Sequence, residues 1–216
     1  MRNPESLDVE FDRQMQTLVD KGYPDLAGTG VDRFRSYVDP LRALLRDLPP
    51  SKPEHIPFVI VVRSRLVPTA GAVERFVVHG KAGWTDMQDE IDSYRPIDGV
   101  DVPDVPAYLL VDVSTGPETL NVKPDDALPM IIGAGRTPLT TDEGVALVTQ
   151  FPDVFEVRNA FQAVASRSDN KRIPSFWMSK GAPRLGWCWA GNPHTWLGSG
   201  SAAGRYGARL LSSSWT

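Results

Sequence analysis

Cysteine is almost missing from this chain: Cys188 is the single one in 216 residues. An internal disulfide is therefore excluded, and so is a metal site built from clustered thiolates. Histidine is nearly as scarce. His55, His79 and His194 are scattered without the spacing of a metal-ligand set, so neither a metal nor a cofactor is expected. Long apolar runs are also lacking. The strongest, Ile56 to Val62, is interrupted by Pro57 and is far too short to span a bilayer, so no membrane partner is expected. No apolar stretch follows Met1–Ser6, which reads as a chain without a signal peptide, and the end at Trp215-Thr216 is no lipidation signal. With thiols this rare, a reducing cytoplasm is the expected setting. Lysine is scarce beside arginine, a usage that fits a GC-rich bacterial genome.

What is present suffices for a folded core. Hydrophobic residues make up 41% and charged residues 23%, which argues against wholesale disorder. Leu7, Phe11, Met15 and Leu18 recur at helical spacing, and Gly22 and Pro24 end that stretch. A second helical pattern starts near Val31 and runs through Phe34, Val38, Leu41, Leu45 and Leu48. Thr29 and Asp32 are placed to cap it, and Pro40 should kink or split it. Phe58 to Val62 has no polar face and reads as a buried central strand. Arg75 to His79, Ala107 to Val113, Ser175 to Ser179 and Leu185 to Ala190 are further strand candidates. Helices are expected from Pro124 to about Gly133 and from Thr140 or Thr141 to about Gln150, where Asp142 and Glu143 suit a first turn. The expected fold is α+β: an N-terminal helical part over about residues 4–48, then a mixed β-sheet with packed helices. It is read as a single domain over 1–216, with the acidic, turn-rich stretch Asp98–Pro106 as a surface loop.

Acidic residues vanish at the end of the chain. From Asn170 to Thr216 there is no Asp or Glu, while Lys171, Arg172, Lys180, Arg184, Arg205 and Arg209 give +6. In a chain of net −4 this leaves −10 for the first 169 residues. Thr85 to Asp126 alone carries −9. The two regions should attract, with Arg184 or Arg205 reaching those carboxylates. The same basic segment holds Trp177, Trp187, Trp189, Trp196 and Trp215. Basic and aromatic residues together suit a small anionic ligand. Net negative charge and the lack of a binding motif weigh against nucleic acid.

The densest pattern is Arg184-Leu-Gly-Trp-Cys-Trp-Ala-Gly-Asn-Pro-His-Thr-Trp-Leu-Gly198. As a strand it turns Leu185, Trp187 and Trp189 to one side and leaves Gly186, Cys188 and Ala190 as a nearly bare face open to close approach. Asn192-Pro193 starts a turn that should return Trp196 to Trp189. This segment, with Arg95–Val100, Tyr108–Val113 and Gly135–Thr140, resembles a bacterial protein family of unknown function. The resemblance covers most of the chain and implies no reaction.

Three functional readings follow. The first is a non-catalytic binder or accessory protein whose anionic ligand meets Trp187, Trp189, Asn192, His194, Trp196 and Arg205. The second is an enzyme on an anionic small substrate, with Asp112, Arg63 or His194 as the working groups. Asp112 stands at the end of a buried strand, where α/β enzymes often place a carboxylate. A protein-interaction module is a third. A Cys188–His194 pair is disfavoured, because the turn puts His194 at its tip, and Cys188 reads as a small buried, unreactive hydrophobe. Gly198–Arg205 invites comparison with phosphate-cradling loops, but no Gly-Lys-Ser/Thr closes it.

Overall fold

The structure is a computed structural model and describes residues 4–155 and 160–208. In chain order it comprises α1 (Pro4–Asp20), α2 (Tyr23–Leu26), α3 (Val31–Val38), a 3-10 stretch (Asp39–Asp47), β1 (Ile56–Val62), α4 (Thr69–Glu74), β2 (Val77–Val78), β3 (Lys81–Ala82), β4 (Trp84–Thr85), β5 (Arg95–Pro96) and β6 (Ala107–Val113). After these come α5 (Pro124–Gly133), β7 (Thr137–Pro138), α6 (Thr141–Gln150), β8 (Ala160–Gln162), β9 (Ser166–Arg167), β10 (Arg172–Ser179), β11 (Ala182–Trp189), β12 (Leu197–Ser199), β13 (Ser201–Ala202) and β14 (Gly204–Tyr206). The fold is α+β. No helix among the described residues is long and apolar enough to cross a membrane.

The helical stripes pack as their spacing demands. Phe11, Met15 and Leu18 of α1 are buried, as are Phe34 and Val38 of α3. Pro40 does split the second pattern, but the chain continues as the tighter 3-10 form, with Leu41 and Leu45 still inward. The expected Thr29–Asp32 cap does not form. The cap position falls on Gly30, which has no side chain to accept a bond from the first turn.

Two larger sheets, with three two-stranded ones (β2-β3, β5-β9 and β13-β7) beside them, replace the one central sheet expected. The first runs β1-β6-β14 and the second β12-β8-β10-β11-β4. β6 is the centre of the first, with all seven residues buried. β1 pairs antiparallel to it, Phe58 opposite Val111 and Ile60 opposite Leu109. β1 is thus an edge strand and not the central one its composition suggested. Its apolar run is buried because α1 closes the open edge. The Gln14 side chain, fully buried, donates from Nε2 to the Phe58 carbonyl at 3.0 Å and accepts the Ile60 N–H at Oε1, 2.8 Å. One amide therefore replaces a missing strand. Left open, that edge would cost unpaired backbone groups or invite another chain.

Helix α6 lies between the sheets. Residues Glu143 to Gln150 are all buried. Toward the second sheet, Gly144 admits the Phe176 ring so closely that a Cβ there would stand 2.3 Å from it. Phe176 in turn stacks on Phe161, centroids 4.9 Å apart. Toward the first sheet, Glu143 is fully buried and binds four donors. Oε1 takes the Tyr108 hydroxyl at 2.8 Å and Arg205 Nε at 2.5 Å; Oε2 takes Arg205 Nη2 at 2.9 Å and the Thr140 N–H at 2.7 Å. Burial and the adjacent Glu143 push the Tyr108 hydroxyl pKa well above its usual value.

Two stability predictions follow from these contacts. Gln14→Leu strands the Phe58 carbonyl and the Ile60 N–H and should cost about 2–4 kcal/mol in denaturant unfolding. Gln16→Ala on the exposed face should stay within about 0.5 kcal/mol. Glu143→Ala and Arg205→Ala should each cost about 3–5 kcal/mol, since each leaves a buried charge without its partner. The double change Glu143→Leu/Arg205→Met should cost clearly less than their sum. Additive losses would show that the two side chains are not coupled.

Candidate functional site

The strongest concentration of ionisable groups lies where β6 ends. Asp112 adopts a left-handed backbone, φ 55°, which is uncommon for a residue other than glycine. It falls opposite Pro57, between the pairs Ile56–Val113 and Phe58–Val111. Pro57 has no N–H to give the ladder, so the strand can depart from extended geometry there. The carboxylate is then fixed by four donors. Oδ1 accepts from the Ser51 hydroxyl at 2.8 Å, the Lys52 N–H at 2.8 Å and His55 Nδ1 at 2.9 Å. Oδ2 accepts from Arg136 Nη1 at 2.6 Å, whose Nη2 also binds the Asp112 carbonyl at 2.6 Å. Arg136 is oriented further by Nε donating to the Ser201 hydroxyl at 2.8 Å.

Burial alone would raise the Asp112 pKa, but the hydrogen bonds from Arg136, His55, Lys52 and Ser51 outweigh it and hold the carboxyl far below its usual range. An ionised carboxylate only accepts, so the proton in the His55–Asp112 bond belongs to His55 Nδ1. In the neutral ring this leaves Nε2 with a lone pair, and Nε2 has no hydrogen-bond partner among the described residues. His55 lines a cleft of about 560 Å³ together with Lys52, Ser114, Thr115, Glu118 and Arg136.

The tryptophan segment forms a separate region. β10 and β11 pair with Trp177 opposite Arg184 and Pro174 opposite Trp187. The bare face expected around Gly186 is filled by the chain itself: a Cβ on Gly186 would stand 2.4 Å from the Trp177 ring. Trp187 and Trp189 meet edge to face at 5.0 Å, with the Arg172 guanidinium 4.0 Å from the Trp187 centroid. Trp196 does not return to Trp189. It packs 6.3 Å from Trp177 and 5.5 Å from His194, because the chain crosses over to pair β12 with β8, on the far side of β10. Asn192 is exposed in the turn, its N–H on the Trp189 carbonyl at 3.1 Å. His194 Nε2 is buried without a partner among the described residues, and desolvation lowers the ring's pKa.

Arg205 is not brought to the tryptophans. It lies in the first sheet, its side chain 5% exposed, and spends its donors on Glu143, Thr137 and the Pro138 carbonyl. The stretch Gly198–Arg205 is not a phosphate-cradling loop either. It forms parts of β12, β13 and β14, with Gly198 to Ala202 buried. Cys188 is half-buried and not fully enclosed, and desolvation raises its thiol pKa. The charge asymmetry is met by ion pairs: Arg184 with Asp86, and Arg172 with Glu90 at 3.0 Å. Arg209 and Trp215 lie outside the described residues.

Asp112 thus has its histidine, but it is His55 and not His194. Arg63 stands at the opposite end of β1, roughly 26 Å away at about 3.3 Å per extended residue, so it cannot share a small ligand with His55. Among the described residues no group of three or more His, Cys, Asp or Glu side chains converges as a metal site.

A carboxyl with a depressed pKa stabilises the fold fully above its unfolded value, near 3.9, and this is lost as pH falls through the folded value. Wild type should therefore lose stability steadily below about pH 4. Asp112→Asn, less stable at neutral pH, should show a flatter acid limb in that window. Parallel limbs in thermal melts of the two proteins would mean that Asp112 carries none of this dependence.

No curated protein and no solved structure matches the chain. Residues 17–208 match a family of unknown function, DUF5701, from α1 through β14 and including every group placed in the cleft above. With nearly the whole described structure inside that match, the chain belongs to the DUF5701 family.

Proposed function

We propose that the protein is an enzyme acting on a small anionic molecule in the cleft beside His55. One observation carries this reading. Asp112 fixes His55 through Nδ1 and leaves Nε2 unpartnered at the wall of a cleft of about 560 Å³. In that arrangement His55 is the proton acceptor. Nε2 takes a proton from substrate or from a water held against it, and Asp112 steadies the imidazolium that forms. Arg136 is a positioning residue, since it locks the Asp112 carboxylate at 2.6 Å. Glu54 and Glu118 share the wall with Lys52 and Arg136, and Arg136 is paired with Asp112; Lys52, without a carboxylate partner among the described residues, is the group left to meet an anionic substrate. Backbone strain at Asp112 supports the reading, because left-handed non-glycine residues persist where surroundings hold them and cluster at functional sites.

A second reading is a binder without catalysis, its ligand against His194 and Trp196, which pack at 5.5 Å beside Trp177; Trp187 and Trp189 stand on the opposite face of β11 and form no common site with them. The exposure of Trp196, 38%, and the orphaned His194 Nε2 favour it.

The two readings separate by nuclear magnetic resonance on protein labelled with nitrogen-15 in histidine. Neutral His55 should carry its proton on Nδ1, and Asp112→Asn should shift the ring toward the Nε2–H tautomer. Diethyl pyrocarbonate should modify His55 before His194. A wild-type His55 protonated on Nε2 in the neutral ring removes the proton acceptor and with it the enzyme reading. A small anion that quenches tryptophan fluorescence while leaving the His55 signals unmoved supports the second.

A further inference from the structure

A second cleft, of about 420 Å³, opens at the other end of the β1–β6 ladder. Arg63 follows β1 there, its N–H bonded to the Pro106 carbonyl at 2.9 Å. Arg65, Arg95, Ser64, Thr141 and Asp142 share the wall. Three guanidinium groups thus converge from two separate stretches of chain, although the middle of the sequence is strongly acidic.

Their present partners differ in strength. Arg63 is engaged in the interior, donating from Nε to Asp142 at 3.2 Å and from Nη1 to the Pro103 carbonyl at 2.8 Å. Arg95 donates only to the main-chain carbonyls of Asp92 and Tyr94 and meets no carboxylate among the described residues. Arg65 pairs with Asp104, whose side chain is 92% exposed. A pair so exposed is screened and contributes little, so its partner is exchangeable. Thr141, 6% exposed, carries a hydroxyl without a hydrogen-bond partner among the described residues. A buried unsatisfied hydroxyl is costly in a closed protein and is relieved by a ligand acceptor. The acidic groups facing the cleft are Asp92 and Asp142. Asp142 is already bound by Arg63 and by the Ser64 N–H and hydroxyl, at 3.2 and 3.3 Å.

We propose that this cleft binds a small anion carrying a carboxylate or phosphate group, with Arg65 and Arg95 as the two forks that grip it. Planar guanidinium groups match both anions by paired hydrogen bonds, which a lysine does not provide. Arg63 holds the wall through Asp142 and sets the depth of the site. The site lies at the opposite end of the sheet from His55, so it stands or falls apart from the enzymatic reading.

The test is calorimetric titration of the full chain with inorganic phosphate and with citrate at low ionic strength, using sodium chloride as the control. Saturable binding of either anion is expected, and the anion that binds more tightly shows which group the site takes. Arg65→Gln/Arg95→Gln should weaken it at least tenfold. Both side chains are exposed, so the double variant should fold, and an unchanged melting temperature without anion verifies this. Arg95→Lys should fall between wild type and the double variant. Arg33→Gln, outside the cleft, should bind as wild type does. Heats no larger than those from chloride overturn the proposal, and so does undiminished binding by the double variant.

Discussion

The buried carboxylate of Glu143 is the contact on which the arrangement of this protein depends. It sits in the first turn of a helix enclosed by two sheets, where a buried polar group needs hydrogen-bond partners. Compensation arrives from β6 through Tyr108, from β14 through Arg205, and from the helix's own entry through the Thr140 N–H. Each donor fixes a different element. The helix therefore cannot slide or rotate without breaking several charge-assisted bonds at once. Gly144, the next residue, is set by the same constraint, because only a residue without Cβ lets Phe176 close the other side. Ion pairs of this kind are weak contributors to net stability compared with apolar packing, but they penalise every alternative arrangement that leaves one charge unpaired.

The β1–β6 ladder is the second organising element, and the two clefts are its two ends. An antiparallel pair brings the start of one strand beside the finish of the other. That is how His55, just before β1, meets Asp112 near the end of β6, and how Arg63, just after β1, meets the loop that enters β6. Gln14 keeps this ladder from extending, since its amide occupies the edge that another strand would use.

Much of the framework was legible in the sequence. The stripe of Phe11, Met15 and Leu18, the seven residues of β6, and the acidic first turns of α5 and α6 all carry local signals that tertiary contacts did not override. What failed was whatever depended on a partner distant in sequence. Phe58–Val62 looks like a central strand because burial on all sides reads alike whether the neighbour is a strand or a glutamine from α1. Trp196 was expected beside Trp189, because a turn at Asn192 is legible while the crossover to β8 is not. Arg205 looked available because nothing near it in sequence announces Glu143, 62 residues away. His55 carried no signal of its own in a proline-rich stretch. Its one accessible clue was that antiparallel pairing of the two apolar runs would place it beside Asp112.

The proline-rich approach to β1 explains why the Asp112 cluster is built from side chains and not from ladder bonds. Pro49, Pro50, Pro53 and Pro57 remove four N–H groups from the nine residues that run from Pro49 to Pro57, so this segment can contribute little to any sheet. Its order must come from elsewhere. Asp112 supplies it by accepting the Ser51 hydroxyl, the Lys52 N–H and His55 Nδ1 on a single oxygen. The left-handed backbone at Asp112 is one that an L-residue adopts at some cost, and Arg136 offsets that cost by gripping both the carboxylate and the carbonyl of the same residue. The position of His55 is thereby tied to one carboxylate and one guanidinium, with no ladder bond of its own. A group held in this way keeps a fixed ring orientation while its far nitrogen stays without a hydrogen-bond partner among the described residues.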